Sequence, residues 1–153
     1  MKLTSSAFSE GEIIPSLYTC EGKNINLPLE IQEVPPKAKS LVLIMDDPDV
    51  PASVRPDRMY DHWVVFNIPP STHHLKENAT PPGIQGKNTS GASKYTGPCP
   101  PDREHRYFFK LYALDTELSL KAGATKKEVE RAMDGHILSQ TQLMGRYEKG
   151  KGY

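Results

Sequence analysis

Two cysteines, one tryptophan and no excess of charge of either sign leave this 153-residue chain with few conspicuous handles. Its longest apolar run, Leu41–Met45, is five residues, far below the roughly 20 that a membrane-spanning helix needs. Lys plus Arg and Asp plus Glu both total 19. No long-range field therefore draws the chain to nucleic acid or to an anionic membrane, and affinity for a charged guest has to come from a local pocket. The opening Met1-Lys2-Leu3-Thr4-Ser5-Ser6 has no apolar core of a secretory leader. Cys20 and Cys99 are accordingly expected to be free thiols in a cytoplasmic protein, with a pairing between them left open. C-x-x-C, H-x-x-x-H, G-x-S-x-G, P-loop and Rossmann glycine patterns are all missing. No metal or other cofactor is expected, and the common hydrolase and nucleotide-binding classes recede.

Proline, by contrast, is abundant. The chain has 14, many in the pairs Pro35-Pro36, Pro69-Pro70, Pro81-Pro82 and Pro100-Pro101, which suits short strands joined by stiff loops. Ile25, Leu27, Leu29 and Ile31 alternate with Asn26, Pro28 and Glu30, a half-buried edge strand. Leu41–Met45 and Trp63–Phe66 read as central strands covered on both faces. Tyr107–Leu114 reads as a third core strand, and Thr141–Tyr147 as the last. Phe8–Pro15 reads as an irregular edge segment, and the 71–96 stretch as a long loop of functional or mobile character. One helix is predicted: Thr125-Lys126-Lys127-Glu128 is a capping box, Val129, Ala132 and Met133 give an apolar face, and Gly135 ends it. The whole is expected to be a single domain over 1–153, mainly antiparallel β with one short helix in the C-terminal region.

Three strand ends carry polar groups with chemistry in them: Asp47 and Asp49 after one, His62 before another, His105 and Tyr107 at the third. Residues two apart on a strand share a face, so His105 and Tyr107 point the same way. Gathered at one rim, these ends would make a cup of carboxylate, two imidazoles and a phenol, and a cationic histidine there would attract phosphate. On that reading binding weakens as pH rises through the histidine pKa. Plainer readings remain open for each. Asp47 and Asp49 around Pro48 are ordinary turn residues, and His62-Trp63 could be a packed core pair. His73 and His74 suit solvent, and His136 suits the helix end.

Taken together, Asp46-Asp47-Pro48-Asp49-Val50-Pro51, His62-Trp63 and Gly97-Pro98-Cys99-Pro100-Pro101 with His105-Arg106-Tyr107 resemble the phosphatidylethanolamine-binding protein (PEBP) family, which includes the Raf kinase inhibitor protein. The likeness is strongest to its bacterial and archaeal branch. It extends to Ile14-Pro15 with Tyr18-Thr19-Cys20 and to Ala132–Leu138. The resemblance implies a PEBP-like fold, a large central antiparallel sheet beside a smaller one. It implies an anion pocket lined by Asp47, His62, His105 and Tyr107 and shaped by Gly97 and Pro101, with a cis peptide bond before Pro51. It further implies a non-enzymatic, regulatory binding protein for a small phosphate-type anion or phosphorylated headgroup. The alternative it offers is a kinase or protease inhibitor acting through the pocket and the 71–96 loop, and an Asp/His hydrolase ranks third. Homodimers belong to the same implication; nucleic acid and integral membrane partners do not. Cys99 stands where eukaryotic relatives carry glycine, and the chain stops before their longer C-terminal helical segment, so a more open pocket is expected.

Overall fold

In the computed structural model, which describes residues 1–151, two antiparallel sheets face each other. The larger has five strands in the order β6-β4-β3-β7-β8 and the smaller three in the order β1-β2-β5. The strands of the larger sheet are β3 (Ser40–Asp47), β4 (Tyr60–Ile68), β6 (Ile84–Gln85), β7 (His105–Leu114) and β8 (Ile137–Tyr147). Those of the smaller sheet are β1 (Lys2–Thr4), β2 (Leu29–Gln32) and β5 (His74–Leu75). The one α-helix among the described residues, α1, spans Lys126–Met133 and carries the full capping box between Thr125 and Glu128.

Strand alternation divides the apolar residues between two cores. Leu41, Leu43 and Met45 of β3, with Trp63, Val65, Phe109 and Leu111, pack toward Leu3, Leu29, Ile31 and Leu75 of the smaller sheet. Val42, Ile44, Val64 and Phe66 face the other way, against Val129 and Met133 of α1. That double burial is why β3 reads as an unbroken apolar run. Each such side chain contributes roughly 1.5–3 kcal/mol through its burial.

Two segments differ from the expected pattern. The strand expected from Ile25 begins only at Leu29. Pro28 offers no N–H to a ladder, and Asn26 is held instead by the Lys76 carbonyl and the Ala79 N–H. The 71–96 stretch contains β5 and β6 and is pinned within by Asn88, whose Nδ2 donates to the Lys94 carbonyl and to Thr96 Oγ1, both at 2.9 Å. Residues 11–14 line the outer edge of β8, with Gly11 N–H bonded to the Met144 carbonyl and Ile14 N–H to that of Arg146.

One irregularity decides the site. Met45 pairs with Trp63, but Asp46 pairs with Asp61 and Asp47 with Tyr60, so His62 is the extra residue of a β-bulge. Without the bulge, His62 would alternate with Trp63 and turn toward the helix; the bulge re-aims it to the Trp63 face. Asp61 correspondingly turns to the helix side, where Lys126 Nζ lies 3.4 Å from Asp61 Oδ1 and 2.8 Å from Asp46 Oδ2.

Candidate functional site

Because β3 runs antiparallel to both β4 and β7, the end of β3 and the starts of the other two strands fall at one rim. There Asp47, Tyr60, His62, His105 and Tyr107 line a cavity of about 280 Å³, closed on the far side by Thr96, Gly97, Cys99, Pro100 and Pro101 and at the mouth by Val50 and Val54. All six residues expected at the pocket, Asp47, His62, Gly97, Pro101, His105 and Tyr107, are in this lining.

The hydrogen bonds assign each group a role. His105 Nδ1 lies 2.6 Å from Asp47 Oδ2, and its Nε2 lies 2.7 Å from Asp102 Oδ1. Both of its nitrogens are therefore taken, and neither is open to a guest. Asp47 Oδ1 accepts from the Asp49 N–H at 2.7 Å, and Asp49 is gripped by Arg106 through Nε and Nη2 at 2.9 and 2.8 Å. The acidic turn is thus clamped onto β7. Burial raises the Asp47 carboxyl, opposed by the hydrogen bond from His105. Arg106 holds Asp49 low. For Asp102 burial is the largest single influence and pushes upward, but the His105 hydrogen bond and the nearby backbone N–H groups together outweigh it, and its pKa is lowered.

His62 is different. Its Nδ1 lies 2.7 Å from the Thr96 carbonyl. A carbonyl only accepts, so Nδ1 carries the hydrogen and Nε2 of the neutral ring presents a lone pair. Burial pushes this histidine down to about 4, against smaller upward pulls from the Thr96 carbonyl and Asp46. It is neutral at pH 7, which corrects the expectation of a cationic His62. His62 Nε2 and Tyr107 Oη are both buried and have no hydrogen-bond partner. Burial also raises the Tyr107 phenol, so it keeps its proton. The rings of His62 and Tyr107 meet edge to face at 5.3 Å, and Tyr60 packs on His62 at 4.7 Å.

Two further expectations are overturned. Cys20 and Cys99 form a disulfide with Cα atoms 5.4 Å apart. The Cys20 N–H donates to the Pro98 carbonyl at 3.1 Å, laying the two loops side by side so that the thiols meet. The Val50–Pro51 bond is trans, as are all peptide bonds among the described residues. The Pro51 carbonyl accepts from the N–H groups of Val54 and Arg55 at 2.9 and 3.0 Å. Pro51 therefore opens a helical turn, a position that ordinary trans proline suits.

Tyr60, Thr96 and Asp102 were missed by sequence reasoning. Tyr60 has a signal in hindsight, two residues before His62. Thr96 acts through its carbonyl, which no side-chain pattern reveals. A second hollow of about 230 Å³ lies by Asn24, Asn26, Trp63 and Tyr95. Two of its polar groups are partnered within the chain: Trp63 Nε1 donates to Gln85 Oε1, and Asn24 Oδ1 accepts from the Gly97 N–H. Among the described residues no cluster of three or more His, Cys, Asp or Glu is placed to hold a metal ion, and no helix is long and apolar enough to cross a membrane.

Known proteins share the sequence and the fold. A UPF0098 protein of Chlamydia trachomatis is 52% identical over 149 residues, covering 97% of this chain and 99% of that one. A UPF0098 protein of Methanothermobacter thermautotrophicus is 50% identical over 156 residues, covering 98% and 100%. The crystal structure of a PEBP homologue from Chlamydia trachomatis superposes with a TM-score of 0.94 at 52% identity over 96% of both chains. That of YbcL from E. coli, described as a new member of the mammalian PEBP family, gives 0.86 at 28% identity over 96% and 97%. The phosphatidylethanolamine-binding protein profile matches residues 4–148, and the chain belongs to that family.

Proposed function

We propose that this chain is a non-enzymatic binding protein whose cavity takes a small phosphate-type anion or phosphorylated group, in a regulatory role. The observation that carries the reading is the pair of buried, unpartnered polar atoms, His62 Nε2 and Tyr107 Oη, on one cavity. Buried polar groups are nearly always bonded, and an orphan costs roughly 1–3 kcal/mol. Two on one small cavity favour a guest that satisfies both. Against a covalent mechanism, Cys99 at the wall is tied to Cys20 and Thr96 Oγ1 already accepts from Asn88. Asp47 and His105 serve by holding each other and, through Asp49, the turn beside the cavity mouth.

Titration calorimetry with inorganic phosphate and phosphoethanolamine tests this. Saturable binding that is lost in Tyr107→Phe and His62→Ala, with both variants folded, is expected; unchanged affinity in both would remove the mechanism. The inhibitor reading has one observation of its own, Val54 exposed at 60% on the cavity mouth, a handle for a protein surface. A kinase or protease bound through it would be displaced from a pull-down by excess phosphate. The paired cysteines speak against the cytoplasmic location expected from the sequence.

A further inference from the structure

The two open atoms of the cavity are not alike, and the difference selects among anions. Tyr107 Oη brings a hydrogen; His62 Nε2, with its ring hydrogen committed to the Thr96 carbonyl at 2.7 Å, brings a lone pair. His105, the other imidazole, has both nitrogens on the carboxylates of Asp47 and Asp102. Arg106, the nearest guanidinium in sequence, is spent on Asp49. The cavity therefore meets an anion with one donor, one acceptor and carboxylates at its edge. A fully deprotonated oxyanion would set a lone pair against the His62 lone pair.

Building on the anion-pocket reading, we infer that the guest is an oxyanion carrying its own O–H, namely a singly protonated phosphate or phosphate monoester. One of its unprotonated oxygens accepts from Tyr107 Oη, and its P–OH donates to His62 Nε2. Sulfates and phosphodiesters, which have no such hydrogen near neutral pH, are rejected. A phosphodiester lipid headgroup is thereby disfavoured relative to a monoester.

The alternative, protonating His62 to meet a bare anion, is opposed by what surrounds the ring. Tyr60 lies on its own strand, and Tyr107 and His105 belong to β7; Asp46 and Asp47 belong to β3, and the Thr96 and Gly97 carbonyls to the facing loop. Asp46 and the two carbonyls favour the charged ring; burial and His105 oppose it, and burial dominates. With the ring held near 4, protonation at pH 6 would weaken binding by about a hundredfold.

The test compares methyl phosphate, methyl sulfate and dimethyl phosphate by calorimetry at pH 6. The first two have the same shape, and at pH 6 about half of the methyl phosphate carries the same single charge as methyl sulfate, because the second ionisation of a phosphomonoester lies at about 6. The P–OH is what separates them. Methyl phosphate is expected to bind at least about tenfold more tightly than either of the others. At pH 8 its affinity should fall, with uptake of close to one proton in buffers of different ionisation heat. Methyl sulfate binding as tightly as methyl phosphate would overturn this inference and leave the anion pocket intact. Failure of all three to bind the folded protein would overturn both.

Discussion

His105 Nδ1 and Asp47 Oδ2 stand 2.6 Å apart, with the two side chains only 1% and 4% exposed. Breaking one partner of a pair buried this deeply leaves the other without compensation, which costs about 3–5 kcal/mol. Asp47→Ala should lose that much in urea denaturation. Asp47→Asn, which keeps an acceptor for Nδ1–H, should lose less than half as much. Equal losses in the two variants would mean that volume, not the pairing, is what Asp47 supplies. Because Asp47 Oδ1 also accepts from Asp49 N–H, the alanine variant should in addition loosen the 47–51 turn, read as faster amide exchange at Asp49.

Gly97 is fixed by contact rather than by backbone angle. A Cβ placed there would lie 2.0 Å from the Tyr18 carbonyl oxygen and 2.6 Å from Asn24 Oδ1. The carbonyl is backbone and cannot swing aside, so Gly97→Ala must push the 97–101 loop off residues 18–24. Overpacking of this kind costs typically 1–3 kcal/mol, and here the displaced element is the cavity wall. A lowered Tm together with weakened phosphate binding is expected; a variant with wild-type Tm would show that the loop has room to move.

The disulfide crosses the same contact. Cys20 and Cys99 are 79 residues apart in sequence, so the bond removes a long loop's worth of freedom from the unfolded chain. Stabilisation of about 2–4 kcal/mol is the usual scale for such a link. Cys20→Ser with Cys99→Ser, or wild type in dithiothreitol, should unfold at correspondingly lower urea concentration. An unchanged midpoint would mean that the Cys20 N–H to Pro98 carbonyl bond and the Gly97 contact already hold the loops together.

What could be read in advance follows from which interactions are local. β3 was visible because burial on both faces writes an unbroken apolar run, and α1 because a capping box is complete within four residues. The cup of Asp47, His62, His105 and Tyr107 was visible through strand ends and family motifs. The bulge that turns His62 onto the right face was not, because one extra residue in a ladder shows only against its partner strand. Nor was the neutral state of His62, which comes from burial, nor its tautomer, which is set by the carbonyl of Thr96, a residue 34 positions away. The Cys20–Cys99 bond was misjudged from the apparent lack of a leader, an argument about compartment that says nothing of distance. The cis bond expected at Pro51 came from resemblance alone, and the turn that begins there accommodates the trans form.

The held-down pKa of His62 has a consequence for stability that can be measured without any ligand. An unfolded histidine takes up its proton near 6.5, whereas this one resists until about 4. Between those values the unfolded chain binds more protons than the folded one, so stability rises with pH across the window. The contribution is complete above 6.5 and is lost as pH falls toward 4. By pH 4.5 the loss from this group alone should be roughly 2–3 kcal/mol. His62→Gln offers a test, because the amide can still donate to the Thr96 carbonyl but does not titrate. Urea midpoints for wild type and variant should diverge between pH 7 and pH 4.5, the wild type falling further by that amount. The depressed carboxylates Asp49 and Asp102 titrate in both proteins, so their acid-side losses drop out of the difference. Parallel curves would mean that His62 becomes charged in the folded state at ordinary pH. The cavity would then offer a cation, and the discrimination between phosphate and sulfate monoesters would vanish with it.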